Sequence, residues 1–397
     1  EYIWVNKRIT IRLGDPRWTR EDFYMIFDGI VSDISSRSSD TLNIILLDKL
    51  ERLNRPISED ILGGTGNNSD RQKPLLFGEC FNVDPLLTDS VPNVLEYMIH
   101  NGPIEDIIEV RDSGLPVDVT KHLATGTFNL LRSPYGQITA SIQGSKPTTY
   151  SDKIADIISN IVTNYGPTNT RLTAGDIHTT NFSTFNIANP QPVGVYCKER
   201  ENILDVCQRL ASSVGASVVF DSLGKLKLVK LDMAGSGTTH TVNREDVLLG
   251  ELSISEKPIV KGAIKLNYCY NWTVQNSTSL AGGLPSNHVA IFDKDWDVAD
   301  VTNPTTILEY KLAEDPVPED TLLLDTTEAV AEANRRLALW STDRYIVTMT
   351  CLAHLLVVEL GDSITITNAR YGMVNGKTGI IISIERDWIA GTVTIGA

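Results

Sequence analysis

The chain has 397 residues, 42% of them hydrophobic, with 50 acidic against 35 basic side chains and a formal net charge of −15. That length suits about two or three domains with cores of their own, and the apolar fraction excludes a disordered chain. The acid excess argues against gripping nucleic acid, which takes clustered Lys and Arg, and no run of about 18 apolar residues is present to insert stably in a membrane as a helix.

The excess concentrates in two windows. Residues 57–112 hold 11 acids against 3 bases, and residues 289–328 hold 11 against 2. Such windows read either as solvated loop surface or as a negative wall along which DNA slides by repulsion. The five cysteines, Cys80, Cys197, Cys207, Cys269 and Cys351, are scattered and form no CxxC pair. They read as buried apolar thiols of a protein made in a reducing cytoplasm, not as a disulfide framework or zinc ribbon. There is no signal peptide, and Glu1 lies directly inside a strand pattern, so the natural chain is expected to begin earlier.

In chain order, Tyr2 to Leu13 alternates Arg8, Thr10 and Arg12 against Ile9, Ile11 and Leu13, a half-buried strand. Phe23 to Ser32 and Thr41 to Leu47 follow as strands, and the three suit a small antiparallel barrel or sandwich over residues 1–56. Residues 56–74, with Gly63-Gly64-Thr65-Gly66, form a long polar loop in which no GK[ST] follows the glycines, so a surface loop fits better than a phosphate cradle. Further strands run from Leu75 to Ile142, completing a β-rich region 57–145.

Residues 146–235 read as an α/β module. Ile154, Ile157, Ile158, Ile161, Val162 and Tyr165 share one helix face, as do Ile203, Val206, Cys207, Leu210, Ala211 and Val214. Gly166 and Gly215 stop the two helices, and Thr149 with Asp152 resembles a capping box. Ala216 to Phe220 and Lys225 to Leu231 flank a turn at Asp221–Gly224, a hairpin. Residues 236–325 return to strands with a loop near 275–288, and residues 326–397 add a helix, roughly Thr327 to Trp340, capped by Thr326 or Thr327. The strands expected last are Tyr345 to Leu352, Leu355 to Glu359, Ser363 to Asn368, Gly379 to Trp388 and Thr392 to Ile395. The fold class is thus mainly β with an α/β insertion: small antiparallel barrels plus a helix–hairpin module, in several domains.

No catalytic constellation emerges. The six histidines are isolated, neither HExxH nor GxSxG occurs, and the tryptophans do not cluster along the sequence. Asp293, Asp295 and Asp297 have the one-three-five spacing of a calcium loop, with Asp300 beyond them. Val298 stands where the loop needs Gly, and Pro304 where it needs Glu, so an EF-hand is excluded. Nothing implies a cofactor or metal, and the chain reads as no enzyme. Arg17 and Trp18, in Gly14-Asp15-Pro16-Arg17-Trp18, are candidate anchors for a neighbouring subunit; the other reading is a loop packed on its own barrel. Asp293, Asp295, Asp297 and Asp300 are candidates for partner or channel contact.

Several blocks resemble the tail-tip, or baseplate, hub proteins of long-tailed bacteriophages. They are IWVNKRITIRLGDPRW, FDGIVSDI and LLDKLERLNRPI at the start, then KPLLFGECFNVDPLLTD and YMIHNGPIEDI. ILDVCQRLASSVGASVVFDSLGKLKLVKL lies in the middle, and ANRRLALWSTDRYIVTMTCLAHLLVVELGDSITIT with GKTGIIISIERDW closes the chain. The resemblance implies a structural virion protein at the tail tip, assembled in the host cytoplasm. It implies a homotrimer carrying two tube-like β domains per chain, residues 1–56 and 236–325. That trimer would join a sixfold tail tube or distal tail protein to threefold tip or fibre proteins, and DNA would pass through it unread. The alternatives are a receptor-binding or fibre-attachment protein, or a tail-associated cell-wall hydrolase.

Overall fold

The computed structural model describes residues 3–38, 41–88, 95–233, 235, 237–256, 258–311 and 316–397. Strand accounts for 37% of the chain and helix for 21%, so the fold is mainly β against the usual balance. The strands form seven open sheets among the described residues.

The first sheet is antiparallel, in the order β1 (Arg8–Leu13), β2 (Tyr24–Ser38), β3 (Thr41–Leu47). Arg8 lies opposite Ile30, and Ile30 opposite Leu47. The expected barrel is instead this open sheet: three strands cannot close a cylinder, so β1 and β3 remain edges. β2 continues to Ser38, past the expected stop at Ser32, because Ile34 and Ser35 pair with Ile44 and Asn43 of β3. Cross-strand pairing overrides a locally weak strand signal. A short helix, α1 (Leu50–Leu53), buries Leu53 in the body.

Residues 56–74 lack regular elements, but Leu62 N–H donates to Arg71 O (2.8 Å) and Gly63 N–H to Ser69 O (2.9 Å), folding the loop on itself. The strand Leu75–Val83 then enters a five-stranded sheet, where it pairs with Gly194–Cys197 and Ile138–Ser145. Its alternate side chains feed two cores. Leu75 and Phe77 join the helices of the α/β module, while Leu76 and Cys80 join Ile107, Phe128 and Ile142. Burial on both faces explains its nearly continuous apolar run. At Gly78 (φ +68°) a Cβ would stand 1.9 Å from Val193 O, so only glycine permits the neighbouring strand to approach.

The two amphipathic helices are Ile154–Asn164 and Ile203–Ser212, and the second runs into the antiparallel hairpin Ala216–Phe220/Leu226–Lys230. Thr149 and Asp152 do not cap the first; its N-cap is Lys153, with Ser151 Oγ accepting Lys153 N–H (3.2 Å). A third helix here, Thr179–Ala188, escapes the sequence reading because it buries only Phe182 and Phe185. Asn181 stitches it to the hairpin, donating to Leu228 O (3.0 Å) and accepting from Leu228 N–H (2.7 Å).

Toward the C-terminus, Val247–Glu256, Ile346–Leu352, Thr392–Gly396 and Ser383–Asp387 make one antiparallel sheet, and Thr239–Val242, Ser363–Ile366 and Lys377–Ile380 another. They share a core of Leu252, Met349, Cys351, Ile364 and Ile395. The expected strand from Leu355 is a 3-10 helix, Ala353–Val357: the adjacent Leu355 and Leu356 are both buried, which an alternating strand cannot do. The helix Thr326–Trp340 is capped by Asp325, one residue before the expected threonines; its Oδ1 accepts Thr327 N–H (2.7 Å).

Candidate interaction surfaces

Ile30 and Val31 are buried (0% and 3% exposed), but none of the described residues of the segment 3–47 belongs to any of the four hydrophobic clusters. The N-terminal sheet is instead seated by a buried charge cluster. The Lys49 ammonium and the Asp28 carboxylate are each 2% exposed and stand 2.9 Å apart. Lys49 also donates to Asp176 Oδ1 (2.9 Å) and Gly224 O (3.1 Å), and Arg8 closes a two-pronged pair on Asp28 (2.8 and 2.9 Å). Burial pushes Asp28 up, but Arg8 and Lys49 outweigh it and hold the carboxyl below its usual range. Asp176 is likewise raised by burial, then drawn down to about 2 by Thr173 and Lys49.

The hairpin tip Asp221–Gly224 sits between this sheet and the C-terminal β unit. Asp28 N–H donates to Ser222 O (3.1 Å), while Ser222 Oγ donates to Glu359 and Lys227 Nζ to Leu360 O (3.0 Å). Gly224 has φ +70°, and a Cβ there would lie 2.7 Å from Asp28 O.

Because the folded-state pKa values of Asp28 and Asp176 are depressed, their contribution is complete above the ordinary carboxylate value of 3.8 and is lost as pH falls toward about 2. Amide exchange at Ile30 and Val31 is therefore expected to stay slow from pH 7 to pH 4 and to accelerate only below. Acceleration near pH 6 would contradict this account.

The sheet leaves much apolar surface uncovered. The register places Ile11 with Phe27, Val31 with Leu46 and Ile34 with Ile44 on one face; Val31 is buried (3% exposed), whereas Ile11, Leu13 and Ile44 toward the edges are 37%, 49% and 42% exposed. A patch of this kind marks a surface meant to be covered.

Arg17 and Trp18 are in this region. Asp15 accepts Arg17 N–H and Nε (2.9 and 2.8 Å) and, through its other oxygen, Nη2 (2.8 Å). Trp18 stands edge-on to Tyr24 with ring centroids 6.0 Å apart, and both rings are exposed. The loop is thus an ordered, outward-facing pair of residue types that dominate interfaces. The four aspartates are less concerted. Asp293 ends the helix Ser286–Phe292, Asp297 pairs with Lys294 (3.3 Å), and Asp300 with Lys265 (3.5 Å). Asp297 and Asp300 lie three residues apart on one strand and so face opposite ways. No group of three or more His, Cys, Asp or Glu among the described residues is arranged to hold a metal.

The fold brings Trp296 to a local aromatic pair: Tyr270 lies 4.7 Å from Trp272, two residues on, and 4.3 Å from Trp296. His100 is fully buried and kept neutral, its pKa lowered to about 3 by burial. Its Nδ1 accepts Leu76 N–H (2.9 Å), which leaves Nε2–H to face Tyr165 Oη (3.2 Å). His240 pairs with Asp362 (2.9 Å), and His178 Nδ1 caps the helix Thr179–Ala188. Cys80, Cys197, Cys207 and Cys351 are buried, and burial raises the Cys351 thiol to about 12.

These features define a mainly β, multi-sheet chain built on an α/β centre, with an uncovered sheet at one end. That fold is shared with a chain described as "Virion of native gene transfer agent (GTA) particle", at TM-score 0.52 and 12% identity over 87% of this chain and 90% of that one. The 43 kDa tail protein of prophage MuSo2 from Shewanella oneidensis also matches, at TM-score 0.30 and 13% identity over 82% and 98% of the two chains. The tail protein from Neisseria meningitidis MC58 matches at 0.32 and 11%, over 82% and 90%. No family model and no curated protein matches the sequence.

Proposed function

We propose that the chain is a structural virion protein, the hub of a phage tail tip, working as a homotrimer that joins the tail tube to tip or fibre proteins and forms part of the DNA channel. The observation that carries the reading is the N-terminal sheet, which joins none of the four hydrophobic clusters and leaves edge strands and apolar side chains exposed, in a chain whose fold spans most of a virion component. An apolar sheet face left in water marks a surface that a partner covers, and neighbouring subunits supply the missing cover. The N-terminal and C-terminal β units act as the two tube-like domains, and the acidic windows face the channel or neighbouring proteins.

Light scattering on the purified chain tests this, with three times the protomer mass expected. In Ile11→Ser/Ile44→Ser the exposed positions should change folding stability by under about 0.5 kcal/mol each, while trimer assembly and binding to tail-tube protein fall sharply. A strict monomer that also ignores tube and distal tail protein sinks the proposal.

A further inference from the structure

The N-terminal segment and the body enclose a cleft of about 560 Å³, larger than two others of 300 and 290 Å³ and within the ~300–1,000 Å³ range of ligand sites. Its walls carry three cations from two separate stretches: Lys7, and Arg52 with Arg55 around the end of α1. None of the three makes an ion pair among the described residues, although the chain carries a net charge of −15. Among the described residues, Glu51 is the one acid in the lining. Beside the cations stand Ile3 and Val5, 74% and 49% exposed, and Pro167.

The walls are held in place. Lys7 N–H donates to Trp4 O (3.0 Å) and Asn6 N–H to Val31 O (2.8 Å), which fixes the segment 3–7 as a turn against β2. Leu53, 1% exposed, anchors α1 in the central core and leaves its neighbours Arg52 and Arg55 outside. Thr170 N–H and Oγ1 both donate to Pro167 O (3.0 Å each), closing the turn that forms the far wall.

We infer that this cleft docks an acidic segment of a partner protein, whose carboxylates meet Lys7, Arg52 and Arg55 while its apolar side chains cover Ile3 and Val5. Charge complementarity selects carboxylates, to which arginine forks donate two-pronged. The exposed apolar wall selects a peptide over nucleic acid, since a DNA path needs more cations than three opposed by Glu51. The inference stands apart from the hub reading, because it requires neither a trimer nor a channel.

Fluorescence anisotropy on the full chain, with a labelled dodecapeptide of alternating Glu and Leu as probe, tests it. Saturable binding is expected, weakened on the order of tenfold in Arg52→Glu/Arg55→Glu and about threefold in Arg52→Gln/Arg55→Gln. Lys121→Glu, on the strand Val119–His122 outside the cleft, should bind as the parent does. The glutamine pair keeps the test valid if charge reversal unfolds the segment, and circular dichroism reports that directly. Absence of saturable binding, affinity retained in both double variants, or equal affinity for a twelve-nucleotide thymidine strand overturns the inference. So does self-association lost in the same variants, which assigns the cleft to a second copy of the chain. A monomeric parent that ignores tube and distal tail protein but still binds the peptide leaves this inference standing and removes only the hub.

Discussion

Lys49→Met is expected to release the N-terminal sheet while the rest of the chain stays folded. Methionine approximates the length of lysine but carries no charge and no donor. Asp28, 2% exposed, then keeps only Arg8, and the Gly224 carbonyl loses the ammonium that it accepts from. Removing one partner of a buried pair destabilises by about 3–5 kcal/mol, because the remaining charge is stranded out of water. Here that loss falls on a sheet without a core of its own, so it appears as local opening and not as global unfolding. Hydrogen exchange over residues 3–47 should rise toward the unprotected rate, while the helix Ile203–Ser212 keeps its protection. Equal acceleration in both places would show that the cluster supports the whole chain and not the sheet's seat.

Glu332→Gln should be the most damaging isosteric change in the C-terminal helix. Its carboxylate, 2% exposed, faces Arg335 (2.8 and 2.7 Å), Arg336 (2.8 Å) and Lys230 (3.7 Å). Burial pushes this carboxyl up, and Arg335, Arg336 and Lys230 together pull it below its usual range. The arginines in turn hold backbone carbonyls. Arg336 donates to Ser212 O (2.8 Å), and Arg335 to Leu231 O (2.8 Å), joining the helix to the α/β module. Glutamine keeps the shape and leaves three cations with only the rim acids Asp232 and Glu319. The expected loss is about 3–5 kcal/mol in urea unfolding at neutral pH. Glu319→Gln, at a carboxylate 40% exposed, should lose under about 1 kcal/mol. Similar losses for the two would mean that the buried carboxylate is no more than another surface partner.

What the sequence discloses divides by range. The helices Ile154–Asn164 and Ile203–Ser212, the hairpin that follows and the strand Thr41–Leu47 are legible, because their periodicity lies within a few residues. The helix Thr179–Ala188 is not, since its stability comes from Asn181 reaching a strand 47 residues away. The seating cluster is hidden for the same reason: Lys49 meets Asp176 across 127 positions and Gly224 across 175. Arg17 and Trp18 stand out in the sequence only as residue types common at interfaces; their outward placement and the Asp15 contacts that orient the arginine come from the fold. The four aspartates have suggestive spacing, but strand alternation turns Asp297 away from Asp300, a geometry that spacing alone does not reveal. The cleft beside α1 has no sequence signature at all, as its walls come from three stretches that only the fold assembles.

The hairpin tip Asp221–Gly224 works as a shim between two plates. Ser222 offers its carbonyl to the N-terminal sheet and its hydroxyl to the C-terminal β unit, so four residues set the gap between the molecule's two outer β surfaces. A single residue inserted there would displace one surface against the other without entering the C-terminal core of Leu252, Met349, Cys351, Ile364 and Ile395. In the trimer proposed above, that small offset would recur at every subunit boundary, and the tip's length would become a gauge of whether the assembly closes.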